Sequence, residues 1–369
     1  MQNKKIGILT FWNVPNYGCF LQAYALQRSV SELFKDCEVG QLAYLEKQHY
    51  NHYYGFFDIK YPMAAINPKF YRHILGQIKN SGKRKIIRQF LNYYREIPNF
   101  EYNGGPIDSS AYRVVVFGSD IIWDFSNQVI LRERELFGQG IDCTKVAYAP
   151  SVGNAVNCDI CPDYVKEGIA SFNSLAVRDS NSYDTIRRIT GLDSQIVLDP
   201  TLLYDFREDS KVIAPKTDRA YIHVYGIHFE QSLIDEIVKY ADDNNLDIIN
   251  LSFVDDNEYD WCNRNIKIGE VSPFEWMGYI KHAHALVTST YHGLIFGINF
   301  NKKIIFKATD FIINKLGNLL EDLGISELIL SKASFSDRIG QNWDYNTINS
   351  KLNDLRERSK QYLQDSLSK

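Results

Sequence analysis

The sequence lacks the marks of a membrane-spanning, secreted or nucleic-acid-binding protein. No stretch of its 369 residues reaches the roughly 18 uncharged apolar residues that cross a bilayer. The N-terminus has neither the longer apolar core nor the small-residue cleavage site of a signal peptide. The net charge of −4 lacks the basic excess of a dedicated nucleic-acid binder. We therefore expect a cytoplasmic protein with no nucleic-acid partner.

Motifs for metals and cofactors are also missing. Of six cysteines, only Cys158 and Cys161 form a C-x-x-C pair, and no second pair or nearby histidine completes a zinc pattern. This pair favours structural thiols over metal or redox use. Walker A, G-x-G-x-x-G, H-E-x-x-H and kinase motifs do not occur. We therefore expect neither a metal nor a bound cofactor.

The composition that is present is ordinary for a globular enzyme except in its aromatic residues. Hydrophobic residues make up 45% and charged residues 23% of the chain, and its length predicts two domains. Aromatic residues reach 14%, with 24 Tyr and 21 Phe. Aromatic rings line sugar-binding clefts and also fill cores, and composition leaves both uses open.

Apolar strands alternate with amphipathic helices along most of the chain. The first series has predicted strands at 5–11, 112–117, 145–149, 174–177 and 196–198, with helices at 19–34 and 183–190. The second series has strands at 220–225, 247–253, 285–288 and 303–306, with helices at 229–244, 273–282 and 293–300. Such alternation is typical of βαβ units, so we predict an α/β protein with two Rossmann-like domains and parallel sheets.

Composition also predicts the boundaries of these domains. Residues 205–218 are charged and aperiodic, so they form the predicted linker between an N-terminal domain at 1–205 and a C-terminal domain at 218–335. Residues 336–369 contain an amphipathic helix at 345–367, which by analogy with two-domain sugar transferases packs back on the first domain.

A segment rich in Tyr, His, Lys and Arg interrupts the first domain at about 44–102, without a strong strand signal. We interpret it as a helical insertion. Its stretch from Lys83 to Leu91 predicts a basic amphipathic helix. Such a helix either faces solvent or contacts an anionic membrane surface.

Polar residues after the strands are the candidates for a binding site. In open parallel sheets, ligands bind beyond the carboxyl ends of the strands, where helix N-termini favour anions. The candidates are Asn16, Tyr17, Gly18, Ser119, Asp120, Ser151, Gly153, Arg178, Thr288, Ser289, Thr290, Tyr291, His292 and Gly293. Residues at such positions also form caps and turns.

Local turn chemistry accounts for several neighbouring residues. We interpret Ser180 and Asn181 as N-caps of the helix after Arg178, and Asp199 with Pro200 as a turn. The missing side chain of Gly293 would let a ligand approach.

Arg178 and His292 stand out among the candidates. Arg178 lies between an apolar strand and a helix, where its guanidinium either binds an anion or forms a structural ion pair. His292 lies at a second strand–helix junction, as a proton-transfer group or a structural histidine. We expect the two side chains to face each other across an anion-receptive gap between the domains.

Taken together, these motifs resemble those of the polysaccharide pyruvyl transferase family, in the same order from residue 6 to about 306. The first-domain motifs are Asn16-Tyr17-Gly18-Cys19, Phe117-Gly118-Ser119-Asp120-Ile121-Ile122-Trp123, Tyr148-Ala149-Pro150-Ser151-Val152-Gly153 and Ala176-Val177-Arg178-Asp179. Leu198-Asp199-Pro200-Thr201 follows, and Thr288-Ser289-Thr290-Tyr291-His292-Gly293 is the most telling match.

The resemblance implies transfer of a pyruvyl group from phosphoenolpyruvate to two hydroxyls of one sugar, forming a cyclic ketal on a capsule, exopolysaccharide or cell-wall glycan intermediate. It implies a glycosyltransferase-B-like fold with the active site in the interdomain cleft, and no metal. By the match, His292 is the general acid, Asp120 a base or sugar-orienting residue, and Arg178 an anion ligand. Trp123 joins the remaining motif residues as a substrate-binding residue. A lipid-linked oligosaccharide acceptor would bring the helix at 83–91 to the inner membrane face.

Two positions differ from some members of the family. Thr290 stands where those members carry an arginine, and Cys19 where they carry an acidic residue. The chain resembles instead the branch that reads Asp-Ser-Phe-His-Gly at the second motif. A nucleotide-sugar-dependent glycosyltransferase of the same architecture is the main alternative, and a non-catalytic glycan-binding or scaffolding protein is another.

Overall fold

The computed structural model describes residues 5–12, 14–42, 89–90, 92–100, 107–155, 157–252 and 257–368. Within the segment at 44–102, only the last residues are described, and most of the predicted basic helix at 83–91 lies outside the described residues. Its membrane contact therefore stays a prediction.

The first domain is built on a parallel sheet of seven strands. The strands are β1 (Lys5–Leu9), β2 (Glu38–Leu42), β3 (Asn99–Phe100), β4 (Val114–Phe117), β5 (Thr144–Tyr148), β6 (Ser174–Val177) and β7 (Gln195–Ile196). Their spatial order is β3-β2-β1-β4-β5-β6-β7. The central strand β4 is apolar and buried along its whole length, and β1 and β5 are buried beyond their first residues, because both faces of the sheet are covered.

The second domain repeats this plan with a parallel sheet of five strands. They are β8 (Tyr221–Tyr225), β9 (Asp247–Leu251), β10 (Arg264–Ile266), β11 (Ala285–Thr288) and β12 (Ile304–Phe306), in the order β10-β9-β8-β11-β12. In both domains the chain order reverses beside the first strand, between β1 and β4 and between β8 and β11. Ligands of doubly wound sheets bind at such reversals, so each domain offers one site.

Helices connect the strands and follow them to the C-terminus. Their bounds are α1 (Tyr17–Leu33), α2 (Asp163–Ala170), α3 (Ser180–Thr190), α4 (Pro200–Leu203), α5 (Gln231–Asp243), α6 (Pro273–His282), α7 (Tyr291–Asn299), α8 (Asp310–Leu316), α9 (Leu319–Leu323), α10 (Ser326–Leu330), α11 (Phe335–Gly340) and α12 (Tyr345–Leu367).

Three short strands escape the sequence analysis. β2 contains Glu38, Gly40 and Gln41, which weaken a strand pattern, and it is held by pairing with β1. β3 has only two residues and lies inside the segment predicted to have no strand. β10 has one buried residue, Ile266. β2 and β3 lie on one side of β1, and β10 lies on the corresponding side of β8. There, hydrogen bonding to the neighbouring strand stabilises strands whose own residues give a weak strand pattern.

Two helix starts also differ from the prediction. The N-cap of α3 is Asp179, which accepts a hydrogen bond from the backbone N of Ser182 at 2.7 Å, so the assignment of the cap to Ser180 and Asn181 is wrong. Asp199 caps the short helix α4 by accepting from the N of Thr201 at 2.9 Å, where a turn was predicted. A carboxylate is the N-cap at both positions because it accepts hydrogen bonds strongly and its negative charge complements the positive end of the helix dipole.

The two domains share one aromatic core. Tyr17 is fully buried, its ring stacks on Trp276 of the second domain, and its hydroxyl donates to Val271 O and accepts from Gly269 N, both at 2.8 Å. Phe20 packs edge-on against Phe274 in the same cluster. Many of the abundant aromatic residues are therefore used between the domains as packing.

The last helix, α12, returns to the first domain. Tyr362 donates to Ala147 O at 2.8 Å, and Ser359 Oγ accepts from Leu198 N at 3.0 Å. Arg356 donates to Leu202 O at 2.7 Å. These contacts tie the end of the second domain to the first sheet, which fixes how the two sheets face each other.

Among the described residues, no helix is long and apolar enough to cross a membrane. Two Rossmann-like domains with parallel sheets face each other across a cleft, which is the glycosyltransferase-B-like arrangement. The predicted fold class is thus confirmed.

Candidate active site

The carboxyl edges of the two sheets enclose a cavity of about 380 Å³. It lies at both strand-order reversals, because its walls come from the residues after β1 and β4 in one domain and after β8, β11 and β12 in the other. The lining residues are Asn16, Cys19, Asp120, Ile121, Tyr225, Ile227, His228, Ser289, Thr290, Tyr291, His292, Lys307, Thr309, Ile312 and Lys315. Its size is that of a small-molecule site.

The motif Asn16-Tyr17-Gly18-Cys19 shapes the first-domain wall. Asn16 is the N-cap of α1 and accepts from the N of Gly18 at 2.8 Å and of Cys19 at 3.2 Å. Tyr17 anchors the helix to the second domain. Gly18 lies directly against His292, since a methyl group at position 18 would lie 2.0 Å from Nδ1 of that ring. Each residue of the motif thus has a separate physical task.

Asp120 presents a carboxylate to the cavity from the loop after β4. Its backbone is left-handed, with φ of 68°, a conformation that aspartate tolerates better than most residues. Oδ1 accepts from Ile121 N at 2.9 Å, and Oδ2 accepts from Cys19 Sγ at 3.1 Å. Burial raises the pKa of this carboxyl, but the charges of Lys315, Arg178 and His292 outweigh burial and lower it. Asp120 is therefore ionised at neutral pH.

His292 lies in the first turn of α7 and lines the cavity from the second domain. Its Nε2 is buried and has no hydrogen-bond partner among the described residues. Burial lowers the pKa of the imidazole, Arg178 and Lys315 lower it further, and Asp199 and Asp120 raise it without restoring the ordinary value. The ring is therefore neutral at pH 7 until a new anion enters the cavity.

Arg178 does not line this cavity, so the prediction that it faces His292 across one gap is wrong. Only 6% of the residue is exposed, and Nη1 donates to Asp199 Oδ2 at 2.8 Å. The guanidinium carbon lies 4.7 Å from the centroid of the Tyr291 ring, and Tyr291 lines both this cavity and the one that Arg178 borders. An isolated cation cannot stay buried at this depth, and Asp199 supplies its counter-charge.

Arg178 still acts on the site through its charge. It lowers the pKa values of Asp120 and His292, and two of its nitrogens, Nε and Nη2, are buried without partners. It borders a second cavity, of about 240 Å³, which shares Tyr291 and Lys315 with the first. Of the two roles that the sequence left open for Arg178, the structural ion pair with Asp199 is present. Nε and Nη2 have no hydrogen-bond partner among the described residues.

Three predicted substrate-binding residues of the second domain do line the main cavity. Ser289 Oγ donates to Ile227 O at 3.0 Å and accepts from Ile227 N at 2.8 Å, joining the loops after β8 and β11. Thr290 caps α7 by accepting from Gly293 N at 3.0 Å. Tyr291 directs its hydroxyl to Asp199 Oδ2 at 3.4 Å. All three hold the wall in place.

Other predicted substrate-binding residues lie away from both cavities. Their side chains or backbone are used in packing, which the sequence pattern could not separate from ligand contact. These are Tyr17 in the interdomain core, Gly18 against His292, Ser119 beneath Thr10, Trp123 bonded to Leu136 O, Ser151 bonded to Gly153 N, Gly153 against Asp124, and Gly293. A methyl group on Gly293 would lie 2.2 Å from Thr288 Oγ1, so threonine hydroxyls fill the space expected for a ligand.

Three basic residues at the cavity were missed. His228 follows β8, Lys307 follows β12, and Lys315 lies in the last turn of α8. The Lys307 ammonium is paired with Glu230 at 2.9 Å. For His228, its place after a predicted strand was an available signal, whereas Lys315 lies in a helix that the sequence analysis did not assign.

Comparison with known proteins places the chain in a family. The family model described as polysaccharide pyruvyl transferase matches residues 16–310, more than half of the chain. The matched range contains Asp120, Arg178 and His292 and ends before Lys315. No curated protein matches the chain significantly.

The chain is only weakly similar to solved structures. MnaA of S. aureus, in a structure with UDP, has a TM-score of 0.45 and 11% identity, over 98% of this chain and 91% of that one. A trehalose-phosphate synthase from Burkholderia vietnamiensis has a TM-score of 0.44 and 7% identity, over 100% and 99%. The glycosyltransferase SnogD from Streptomyces nogalater has 0.42 and 10%, over 97% and 94%. Nothing about the substrate follows from likenesses this weak.

Proposed function

Since the chain belongs to the polysaccharide pyruvyl transferase family, we propose that it moves the pyruvyl group of phosphoenolpyruvate onto a sugar of a capsule, exopolysaccharide or cell-wall glycan intermediate, as a cyclic ketal. The observation that supports this proposal most is the pairing, in one interdomain cavity, of an ionised Asp120 with an unpartnered His292. The reaction needs one acid and one base, and this cavity offers both.

The first step makes the donor electrophilic. A proton passes from imidazolium Nε2 of His292 to the CH₂ carbon of the enol, which becomes a methyl group, and C2 acquires oxocarbenium character. His292 is neutral in the free protein because burial lowers its pKa. The phosphate and carboxylate of an arriving donor raise that pKa, since a nearby negative charge favours the protonated ring. When the donor binds, His292 therefore takes up from solvent the proton that it then transfers.

The second step joins the sugar to C2. Asp120 takes the proton of the first sugar hydroxyl as its oxygen attacks C2. The low pKa of this carboxyl keeps it ionised and able to accept, and its bonds from Ile121 N and Cys19 Sγ fix its direction. Attack by the second hydroxyl then breaks the C2–O bond to phosphate and closes the ketal ring, while the hydroxyl proton passes to the imidazole that the first step left neutral. Phosphate leaves with the bridging oxygen and takes up the proton held by Asp120, which restores both groups.

The cavity walls also suit the two substrates. The N-terminus of α7 directs its positive dipole end into the cavity, where a phosphate or carboxylate is stabilised. Ile121, Ile227 and Ile312 supply apolar surface for the methyl group and the sugar face. We expect the position of the site between two domains to limit the access of water, which would otherwise hydrolyse the activated C2.

Phosphate release by the purified full-length protein tests this function. We expect release only when phosphoenolpyruvate and a galactose- or hexosamine-terminated acceptor are both present, with a new ketal methyl signal in the proton NMR spectrum of the product. Each substrate alone serves as the control. No release over a broad acceptor panel, together with thermal stabilisation by UDP, GDP or CMP sugars and not by phosphoenolpyruvate, would contradict the proposal and favour a glycosyltransferase.

A further inference from the structure

The loop after β8 forms part of the cavity wall, and its backbone is held in place from two sides. Ser289 Oγ, from the loop after β11, accepts from Ile227 N at 2.8 Å and donates to Ile227 O at 3.0 Å. Gly226 O accepts from Asn257 Nδ2 at 2.8 Å and from Tyr259 OH at 3.0 Å. A methyl group at position 226 would lie 2.4 Å from Ser289 Oγ, so the two loops are in direct contact. Four hydrogen bonds thus fix this loop.

His228, the next residue of the loop, is exposed and lines the cavity. Its backbone is left-handed, with φ of 60°. Of the five described non-glycine residues with positive φ, Asp120 and His228 line the cavity, one on each edge. Uncommon backbone conformations of this kind concentrate at binding and active sites. The imidazole of His228 forms no hydrogen bond or ion pair with the described residues. A fixed backbone therefore presents a side chain that is free to meet a ligand.

A cluster of three aromatic rings adjoins this loop. Phe229 follows His228 directly, and its ring centroid lies 6.0 Å from that of Tyr259 and 6.4 Å from that of Trp261. Tyr259 and Trp261 stack at 5.1 Å, and the Tyr259 hydroxyl is bonded to Gly226 O. Four of the five tryptophans of the chain are buried, whereas Trp261 is partly exposed. Partly exposed rings beside a free imidazole suit a sugar, which offers apolar C–H faces and hydroxyls together.

We propose that His228 binds the glycan acceptor, as the residue that positions one of its sugar hydroxyls at the mouth of the cavity. The proposal rests on the proposed function, which it extends by assigning the acceptor to the loop after β8. Asp120 is only 7% exposed, whereas His228 is exposed. The donor has to reach the deeper groups, and an oligosaccharide has to extend from them to solvent, so it passes His228. An imidazole can hydrogen-bond a hydroxyl in either protonation state.

Titration of the full-length protein with methyl glycosides of galactose, glucose, mannose and their N-acetylated hexosamines, followed by saturation-transfer NMR without phosphoenolpyruvate, tests the role of His228. In His228→Gly we expect the glycosides that the wild type binds to bind roughly 3- to 10-fold more weakly, the loss of one hydrogen bond. Glycine adopts φ of 60° without steric cost, so this variant should keep a urea midpoint close to that of the wild type. His228→Asn tolerates the same backbone and keeps a donor and an acceptor, so its affinity should stay within about twofold.

His282→Ala is the matched control. His282 is an exposed histidine at the end of α6 and lines neither of the two cavities. Its removal should leave glycoside binding within about twofold of the wild type. In steady-state kinetics, His228→Gly should raise KM for the acceptor by the same factor as the binding loss and leave KM for the donor within about twofold.

The outcomes separate this inference from the proposed function. If the wild type binds a glycoside, His228→Gly binds it more weakly and no phosphoenolpyruvate is turned over, the donor assignment fails and the glycan site stands. If His228→Gly binds the glycosides as tightly as the wild type, or if the folded wild type binds none of them, the inference is wrong. A rise in KM for the donor alone would also overturn it, because His228 would then belong to the donor.

Discussion

The carboxyl edges of the two sheets have the same strand order and opposite chemistry. The first-domain edge contributes Asn16, Cys19 and the Asp120 carboxylate, and the second-domain edge contributes His292 and the cationic side chains. On the first edge the polar atoms are already bonded, Asn16 to the N-terminus of α1 and Asp120 to Ile121 N and Cys19 Sγ. On the second edge Nε2 of His292 is buried without a partner.

Buried polar atoms without partners are costly. Nε2 of the core residue His223 is another among the described residues, so what distinguishes His292 is that it also lines the cavity. The comparison therefore indicates a division of labour. Under the proposed function, the first edge is preorganised as a base, and we expect the second edge to reach its working state only when an anion binds. If this difference between the edges is real, substitutions at the two edges should have different effects.

The largest effect is expected at the second edge. His292→Gln removes the acid, and we expect turnover to fall about 10²- to 10⁴-fold, the usual contribution of a general acid. The fold should be unaffected, since Nε2 makes no hydrogen bond. Turnover and the urea midpoint of unfolding measure the two effects.

His223 is the matched control for this variant. It is a fully buried histidine in β8 whose Nδ1 lies 3.1 Å from Ile249 O, and burial lowers its pKa to about 4. His223→Gln should cost stability and leave the turnover of the folded protein near that of the wild type. If both variants lose turnover equally, the two histidines do not differ in function.

A smaller effect is expected where the two edges touch. In Gly18→Ala the new methyl group would overlap the His292 ring, 2.0 Å from Nδ1. The ring must move, so we expect turnover to fall roughly 10- to 100-fold and the free energy of unfolding to drop by about 1–3 kcal/mol. Gly340→Ala is the control, because beyond its chain neighbours and its own helix backbone no atom of the described residues lies within 4 Å of the added methyl. Full activity in Gly18→Ala would show that the position of this ring is unimportant.

The sequence predicted the strands and helices that carry this site better than the side chains that line it. The strand at 285–288 and the helices at 273–282 and 345–367 have the predicted bounds, because each combines a clear apolar period with a terminal signal. β2 and β10 were missed because pairing with a neighbouring strand stabilises them more than their own residues do.

Asp120 and His292 were brought to one cavity as their positions after strands predicted. Arg178 also follows a strand, yet it does not line this cavity; its guanidinium contacts the Tyr291 ring and pairs with Asp199. A sequence pattern does not show which cation will be covered by an aromatic ring. Lys315 was missed because no helix was predicted after the strand at 303–306, where α8 follows β12. Only the packing of α8 brings it to the cavity.

The central claim is that binding of the anionic donor raises the pKa of His292, so that the ring becomes protonated and can act as the acid. Proton uptake on phosphoenolpyruvate binding, measured by calorimetry near pH 7 in buffers of different ionisation enthalpy, tests it most directly. The pKa of the free ring lies below its ordinary value of 6.5, so the ring is neutral before binding and gains a proton as the bound anion raises that pKa. We predict an uptake approaching about one proton by the wild type and much less by His292→Gln. Equal uptake by the two proteins, or none by either, would contradict the account.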